Sequence, residues 1–367
     1  DWGHCGSGDT KGACTGVARM KTMKRIVTGS MLLLLAGGCS PKDVLHEAGD
    51  YLLGTRVAIR ILPVAGREVV GDAADLLESV RREGALLDAN RADGIFARLE
   101  REGVYLWAEG NERALVLPVL EESLAFAERS AGGFDPALGS LTQLWGFSSL
   151  TPRQTPPGPE ELKAALARSG RRRILQIDNT GLRVLPGTRI DLGAVAKGVL
   201  ADRAAARLKS LGYRQGILDF GGNILLLGGR PDGRPWRVAL RHPREGGRWW
   251  GSVAVRDQAV VTSGDYERYF VSENVRYHHI LDPETGMPAR GCLSVTVVGP
   301  AAGVADALST ALFVLGPERG FPLLAREFPL YHALFILEGP GGQLHERTSP
   351  GFATATEWKP AGERKSR

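Results

Sequence analysis

The residues with the greatest chemical reach sit on one short segment, Asp306-Ala-Leu-Ser309-Thr310. On a helix, positions i, i+3 and i+4 share a face, so a carboxylate and two hydroxyls point together. Hard oxygen donors, few protein charges and room for water or phosphate suit Mg²⁺. The same residues equally suit an ordinary helix start, with Asp306 serving the dipole and Thr310 bonding back to a carbonyl. A second segment, Asp191-Leu-Gly-Ala194-Val-Ala-Lys197-Gly198, leads from strand into helix. Helix starts gather anions, and a lysine in the first turn makes sense with a phosphate opposite it. A capping Asp191 and a solvated Lys197 are the alternative. In the third, Tyr277-His278-His279-Ile280-Leu281-Asp282-Pro283, paired histidines run into a turn. Neighbours on a strand face opposite ways, so at most one joins a site, as a general base or a ligand contact. The fourth, Asp219-Phe-Gly221-Gly222-Asn223, places two glycines between apolar strand segments, which marks a bulge or a close approach.

The pattern around these segments predicts what holds them. Arg56 to Leu62 alternates at period two and reads as a strand; Asp72 to Leu99 has a helical period broken near Asn90 to Gly94. Leu120 to Ser130 and Glu160 to Ser169 read as helices, with a Pro-rich loop (residues 151–159) before the second. Strands follow at Ile174 to Asn179 and Gly181 to Leu185, and a third ends at Ile190. A long helix, Ala194 to Leu211, then carries Lys197 in its first turn. Strands return at Gly216 to Leu227, Trp236 to Leu240, Gly251 to Val255, Val260 to Ser263 and Leu293 to Gly299. A helix from Val304 to Leu315, stopped by Gly316, carries Asp306 and Thr310. Strands and helices cluster rather than alternate strictly, which makes the class α+β.

Composition narrows the rest. The chain has 367 residues, 43% of them hydrophobic, enough for a sizeable core. A formal charge of +5 with scattered basic groups leaves no stripe for nucleic acid. Walker, dinucleotide-fingerprint and HExxH patterns are absent. Four cysteines, with Cys292 alone in the expected body, supply neither a disulfide framework nor a paired-cysteine metal site. From Met23 a short positive region, an apolar run (Ile26 to Leu35) and Ala36-Gly37-Gly38 precede Cys39. That layout is an export signal of the kind whose cysteine is lipidated. The expected division is 1–22 upstream sequence, 23–38 signal, 39–50 lipidated Cys39 and tether, 51–354 the body and 355–367 a basic tail. The protein is then expected outside the cytoplasm, anchored to the membrane at Cys39.

The order of the motifs says more than any one of them. DxGxxxKG, a DxGGN strand, TSGxYxRY (Thr262 to Tyr269), HHILDPxTG and ADALSTALFxLG (Ala305 to Gly316) together resemble the ApbE family of FAD:protein FMN transferases. Gly133-Phe134-Asp135-Pro136 and Leu144-Trp145-Gly146-Phe147 match it too. The resemblance covers roughly Tyr51 to Phe352. It implies an α+β fold in a duplicated T-fold-like arrangement, with mixed sheets, packed helices and the active site between two halves. It implies Mg²⁺ held by Asp306, Thr310, Ser309 and the backbone oxygen of Ala194. FAD, the substrate, would meet Gly133, Phe134, Asp135, Asp191, Lys197 and the backbone near Ile280. His279 is the implied catalytic histidine, with Lys197 beside it. The implied partner is an exported or membrane redox subunit with a Ser/Thr flavinylation motif. The family's early Met is Leu53 here, an expected aromatic is Asn90, and a Ser-x-x-Asn pattern is Ala97-Arg-Leu-Glu100. These departures gather where the flavin ring is expected. An FAD pyrophosphatase and a non-catalytic FAD-binding lipoprotein are the alternatives to transfer.

Overall fold

The computed structural model describes residues 44–362, apart from 109, 111 and 148–152. The export signal, Cys39 and the end of the basic tail lie outside the described residues.

The chain opens with β1 (His46–Leu52) and β2 (Thr55–Ile61), followed by α1 (Val69–Leu87) and α2 (Ile95–Glu102). Next come β3 (Val104–Leu106), α3 (Glu112–Arg129), α4 (Gly139–Trp145), α5 (Pro159–Ala167), β4 (Ile174–Ile177) and β5 (Gly181–Val184). Helix α6 (Ala196–Ser210) leads to β6 (Gly216–Phe220), β7 (Asn223–Leu227), β8 (Trp236–Arg241), β9 (Trp249–Val255) and β10 (Ala259–Gly264). The hairpin β11 (Tyr269–Ser272) and β12 (Val275–His278) precedes β13 (Cys292–Gly299) and α7 (Ala302–Glu327). Strands β14 (His332–Glu338) and β15 (Leu344–Thr348), helix α8 (Phe352–Ala355) and β16 (Lys359–Pro360) finish the described chain.

The frame is an eight-stranded sheet in the order β1-β2-β6-β7-β10-β13-β14-β15. Its first half, β1-β2-β6-β7, encloses α1 through α6 and the strands β3 to β5 in chain order; its second, β10-β13-β14-β15, encloses the hairpin β11-β12 and helix α7. Every strand pairing is antiparallel, which narrows the expected mixed sheets to antiparallel ones. Successive strand residues face opposite sides, and the core divides accordingly. Val261, Val295, Val297 and Phe335 join the main cluster, together with Leu200, Leu308 and Leu312 of α6 and α7. Val260, Val298, Leu334 and Ile336 face Val238, Leu240, Val253 and Val255 of the small sheet β16-β9-β8.

Most of the expected elements are present, and the departures have physical causes. Residues 46–50, read as tether, belong to β1, whose register runs from His46–Ile61 to Leu52–Thr55. The ordered body therefore begins ahead of residue 51. Part of the expected tail is likewise built in, since Lys359 and Pro360 pair with Ser252 and Gly251. Residues 186–190 form a loop rather than a strand, tied by the Asp191 amide to the Pro136 carbonyl at 2.8 Å. Gly221 and Gly222 (φ 66° and 93°) make a two-residue hairpin turn, not a bulge. Helix α3 starts at Glu112, ahead of the expected Leu120, because the Glu112 carboxylate accepts from the Ala108 amide at 2.7 Å and the Tyr105 hydroxyl at 2.8 Å. Gly316 (φ 68°, ψ 174°) breaks α7 as expected, but the chain resumes as helix from Pro317.

Helices α6 and α7 start side by side. A methyl group on Gly198 would lie 2.7 Å from the Gly303 Cα and inside contact with the Ala302 carbonyl, so only glycine permits the crossing. Gly303 is looser, its nearest such contact being the Val199 Cγ2 at 3.0 Å. Gly198→Ala is expected to destabilise the fold by about 1–3 kcal/mol, and Gly303→Ala by less. Denaturant unfolding of the two variants checks this, and equal losses would contradict the crossing.

Candidate active site

The two helix starts are fastened by exchanged carboxylates. Asp202 of α6 accepts from the amides of Ala302 and Gly303, both at 2.8 Å, and so caps α7. Asp306 of α7 accepts from the Gly198 amide of α6 at 3.2 Å. Each helix therefore satisfies free N–H groups of the other. Burial pushes the Asp202 carboxyl up while its two amide bonds pull it down, with burial prevailing.

This junction forms one wall of a cleft of about 750 Å³, within the range of about 300–1,000 Å³ usual for small-molecule sites. Asp306 and Thr310 from α7, and Asp191, Ala194 and Lys197 from the approach to α6, all line it. Lys197 donates to the Gly193 carbonyl at 3.1 Å and lies 3.6 Å from Asp306 Oδ2. A carbonyl and a carboxylate thus already draw a cation to this spot. Among the described residues no three His, Cys, Asp or Glu side chains group as a metal site. One carboxylate with hydroxyl and carbonyl oxygens is instead a set of hard donors that leaves room for phosphate oxygens, which fits Mg²⁺.

Ser309 departs from expectation. It is fully buried, donates to the Asp306 carbonyl at 2.9 Å and shares a hydrogen bond with Ser263 Oγ at 2.7 Å. Its hydroxyl is committed inside the protein, and Ser263 lines the cleft in its place, 3.3 Å from Thr310 Oγ1.

The remaining expected residues approach from other elements. Gly133, Phe134 and Asp135 line the cleft, and a methyl on Gly133 would meet the Ala311 carbonyl at 2.7 Å, so this loop lies against α7. Asp135 accepts from the amides of Ala137 and Arg171, each at 2.8 Å, and burial raises its pKa. Its carboxylate braces the loop. Leu53 and Gly54 form the turn between β1 and β2, and Leu53 holds a left-handed backbone (φ 56°) that side chains avoid. Asn90 lies on the rim, 3.4 Å from Arg189. Glu100 is paired with that arginine at 2.9 Å.

The two histidines do face opposite ways. His278 is buried, with Nε2 at 2.9 Å from the Ala289 carbonyl and its ring edge-on to Phe313, and burial lowers its pKa to about 4. It is structural. His279 lines the cleft, and its Nδ1 is buried with no hydrogen-bond partner. Burial first, then the charges of His278, Arg268 and Lys197, lower its pKa to about 3. The imidazole is held neutral at the cleft wall, with Nδ1 turned into the protein. Ile280 also lines it, though its amide is 3.3 Å from His278 Nδ1 and its carbonyl accepts from Ala289 at 2.9 Å. Sequence reasoning missed Asp202 and Ser263 as parts of this site. A trace of Asp202 was present, since Gly198-Val-Leu-Ala-Asp202 in α6 echoes Gly303-Val-Ala-Asp306 in α7.

Comparison with known proteins identifies the family. Residues 53–335 match the family model described as the ApbE family. The FAD:protein FMN transferase of Treponema pallidum is 36% identical, over 83% of this chain and 88% of its own length. That of Vibrio cholerae is 32% identical, over 83% and 92%. Among solved structures, the ApbE protein of Thermotoga maritima superposes with a TM-score of 0.76 at 34% identity, covering 85% of this chain and 99% of that one. With a family match over most of its length and relatives alike across nearly their whole chains, this protein belongs to the ApbE family.

Proposed function

We propose that this protein is a Mg²⁺-dependent FAD:protein FMN transferase that attaches FMN to a Ser or Thr hydroxyl of an exported or membrane redox protein and releases AMP. Its relatives bear the transferase name. The observation that carries the chemistry is the meeting of the two helix starts, where Asp306 and Thr310 stand beside Ala194 and Lys197 on one wall of the cleft. Asp306, Thr310 and the backbone oxygen of Ala194 would hold the metal, with Ser309 supporting from behind. FAD would lie along Leu53, Asn90, Gly133, Phe134, Asp135, Asp191, His279 and Ile280. Lys197 would turn from Asp306 to the diphosphate.

In phosphoryl transfer, positioning and charge neutralisation do most of the catalysis. Mg²⁺, when bound, neutralises the diphosphate and the charge growing on the AMP leaving group. The acceptor oxygen bonds to the FMN phosphorus, the bond from that phosphorus to the bridging oxygen breaks, and AMP leaves with that oxygen. His279, which lines the cleft, or a nearby carboxylate would take the hydroxyl proton. The segment ending at Cys39 supports export and lipid anchoring, which would bring the enzyme to acceptors at the membrane surface.

Incubation with FAD, Mg²⁺ and a candidate acceptor, followed by mass spectrometry, tests the reading. An FMN adduct and AMP are expected; FMN released free, with no adduct on any acceptor, would replace transfer with hydrolysis. Asp306→Asn keeps the side-chain shape and is expected to cost about a hundredfold or more in Mg²⁺-dependent turnover. It should also abolish the rise in melting temperature on adding Mg²⁺; a variant that keeps both removes Asp306 from the metal. His279→Ala is expected to slow adduct formation by about 10²–10⁴-fold while FAD still binds. Undiminished transfer in that variant would assign the base elsewhere.

A further inference from the structure

The cleft has a second arm that the residues assigned to FAD leave empty. It runs between the Gly221–Gly222 turn and β8, lined by Gly222, Asn223, Ile224, Val238, Leu240 and Val260. We propose that this arm receives an extended stretch of the acceptor protein, paired with the free edge of β10 and with the Asn223 side chain. The inference rests on the transfer reading and adds to it where the acceptor lies and how it is held.

The main sheet splits here. Strand β7 pairs with β10 only at Leu225–Ala259 and Ile224–Val260. Strand β10 continues to Gly264, paired over Thr262, Ser263 and Gly264 with β13 alone. On its other side the backbone of these residues meets no strand among the described residues, the Gly264 carbonyl alone accepting from the Glu267 amide at 3.4 Å, and all three line the cleft. An unpaired strand edge takes up another extended chain through main-chain hydrogen bonds.

Asn223 stands where β7 ends and this edge begins. It is 3% exposed, and its Nδ2 has no hydrogen-bond partner among the described residues. An unpaired buried amide costs stability, so its retention calls for a partner that arrives later. A side-chain amide carries one donor end and one acceptor end, as a peptide group does, and the two match whichever way the amide is turned. The approach is open, because a methyl group on Gly222 would meet nothing within 4 Å.

The edge also leads to the reacting groups. Ser263 lies 3.3 Å from the Thr310 hydroxyl, so a chain on β10 carries its own Ser or Thr to the mouth of the metal site. Arg241, over the Tyr266 ring at 4.8 Å, and Arg268 line the cleft beside it, and among the described residues neither has an ion-pair partner. An acidic side chain next to the acceptor hydroxyl would supply one.

Short synthetic peptides, each with one Ser or Thr and an acidic neighbour, test this with the full-length enzyme, FAD and Mg²⁺. The structure predicts an FMN adduct on such peptides. Methylating alternate backbone nitrogens should abolish labelling at one parity and spare it at the other, because successive amides of a strand point to opposite sides. Asn223→Ala should raise the peptide KM about tenfold, one lost hydrogen bond to a buried partner, with the dissociation constant of FAD unchanged by flavin fluorescence. The inference is overturned if all methylated peptides are labelled alike, or if Asn223→Ala weakens FAD binding instead. The methylated peptides decide the matter on wild-type enzyme even if that variant fails to fold. Labelling of whole exported proteins but of no peptide overturns the extended-segment site and leaves transfer standing. AMP and free FMN with neither labelled removes transfer itself.

Discussion

Everything at the site depends on two helices exchanging carboxylates. A helix start leaves amide groups without partners, and burying it requires an acceptor from elsewhere. Here each of α6 and α7 supplies that acceptor to the other, Asp202 in one direction and Asp306 in the reverse. The glycine contact at 198 and 303 brings the axes close enough for both bonds to form. The two carboxylates differ in their remaining freedom. Both oxygens of Asp202 are bonded to backbone amides, whereas Asp306 also faces the cleft and the Lys197 ammonium. One carboxylate is spent on architecture, and the other is left over for chemistry.

The same division runs through the rest of the cleft. Pairs of like residues are split between holding and facing. His278 fastens the end of β12 to Ala289 while His279 lines the cleft. Ser309 is locked under α7 while Thr310 lines the cleft. In each case the inward member makes the hydrogen bonds that fix the backbone, and the outward member inherits a defined position without having to make them itself. Such supported side chains are what catalysis by positioning requires.

Much of this was legible in the sequence because local periodicity governs it. The i, i+3, i+4 spacing put Asp306 and Thr310 on one helix face, and the period-two rule separated His278 from His279. What escaped notice depends on partners distant in the chain. Ser309 shares the helix spacing of its neighbours, and only the position of Ser263 on β10 shows that its hydroxyl is taken. Strand β1 (HEAGDYL) lacks apolar alternation because it is an edge strand with little to bury, so it read as tether. The Gly-Gly turn at 221–222 looked like a bulge because two short apolar strands in succession resemble one long one. Asp202 has the composition of any solvated helix residue until α7 arrives beside it.

That distance along the chain bears on how the protein comes to be active. The carboxylate exchange joins residues 100 and 108 positions apart, closing a long loop whose entropy must be overcome before either bond helps. Contacts of such range set the pace of folding. Neither half of the sheet contains a working junction alone, since each brings only one of the two helix starts. The catalytic centre consequently exists only once residues 198–202 and 302–306 have met, and a chain cut between the halves lacks it.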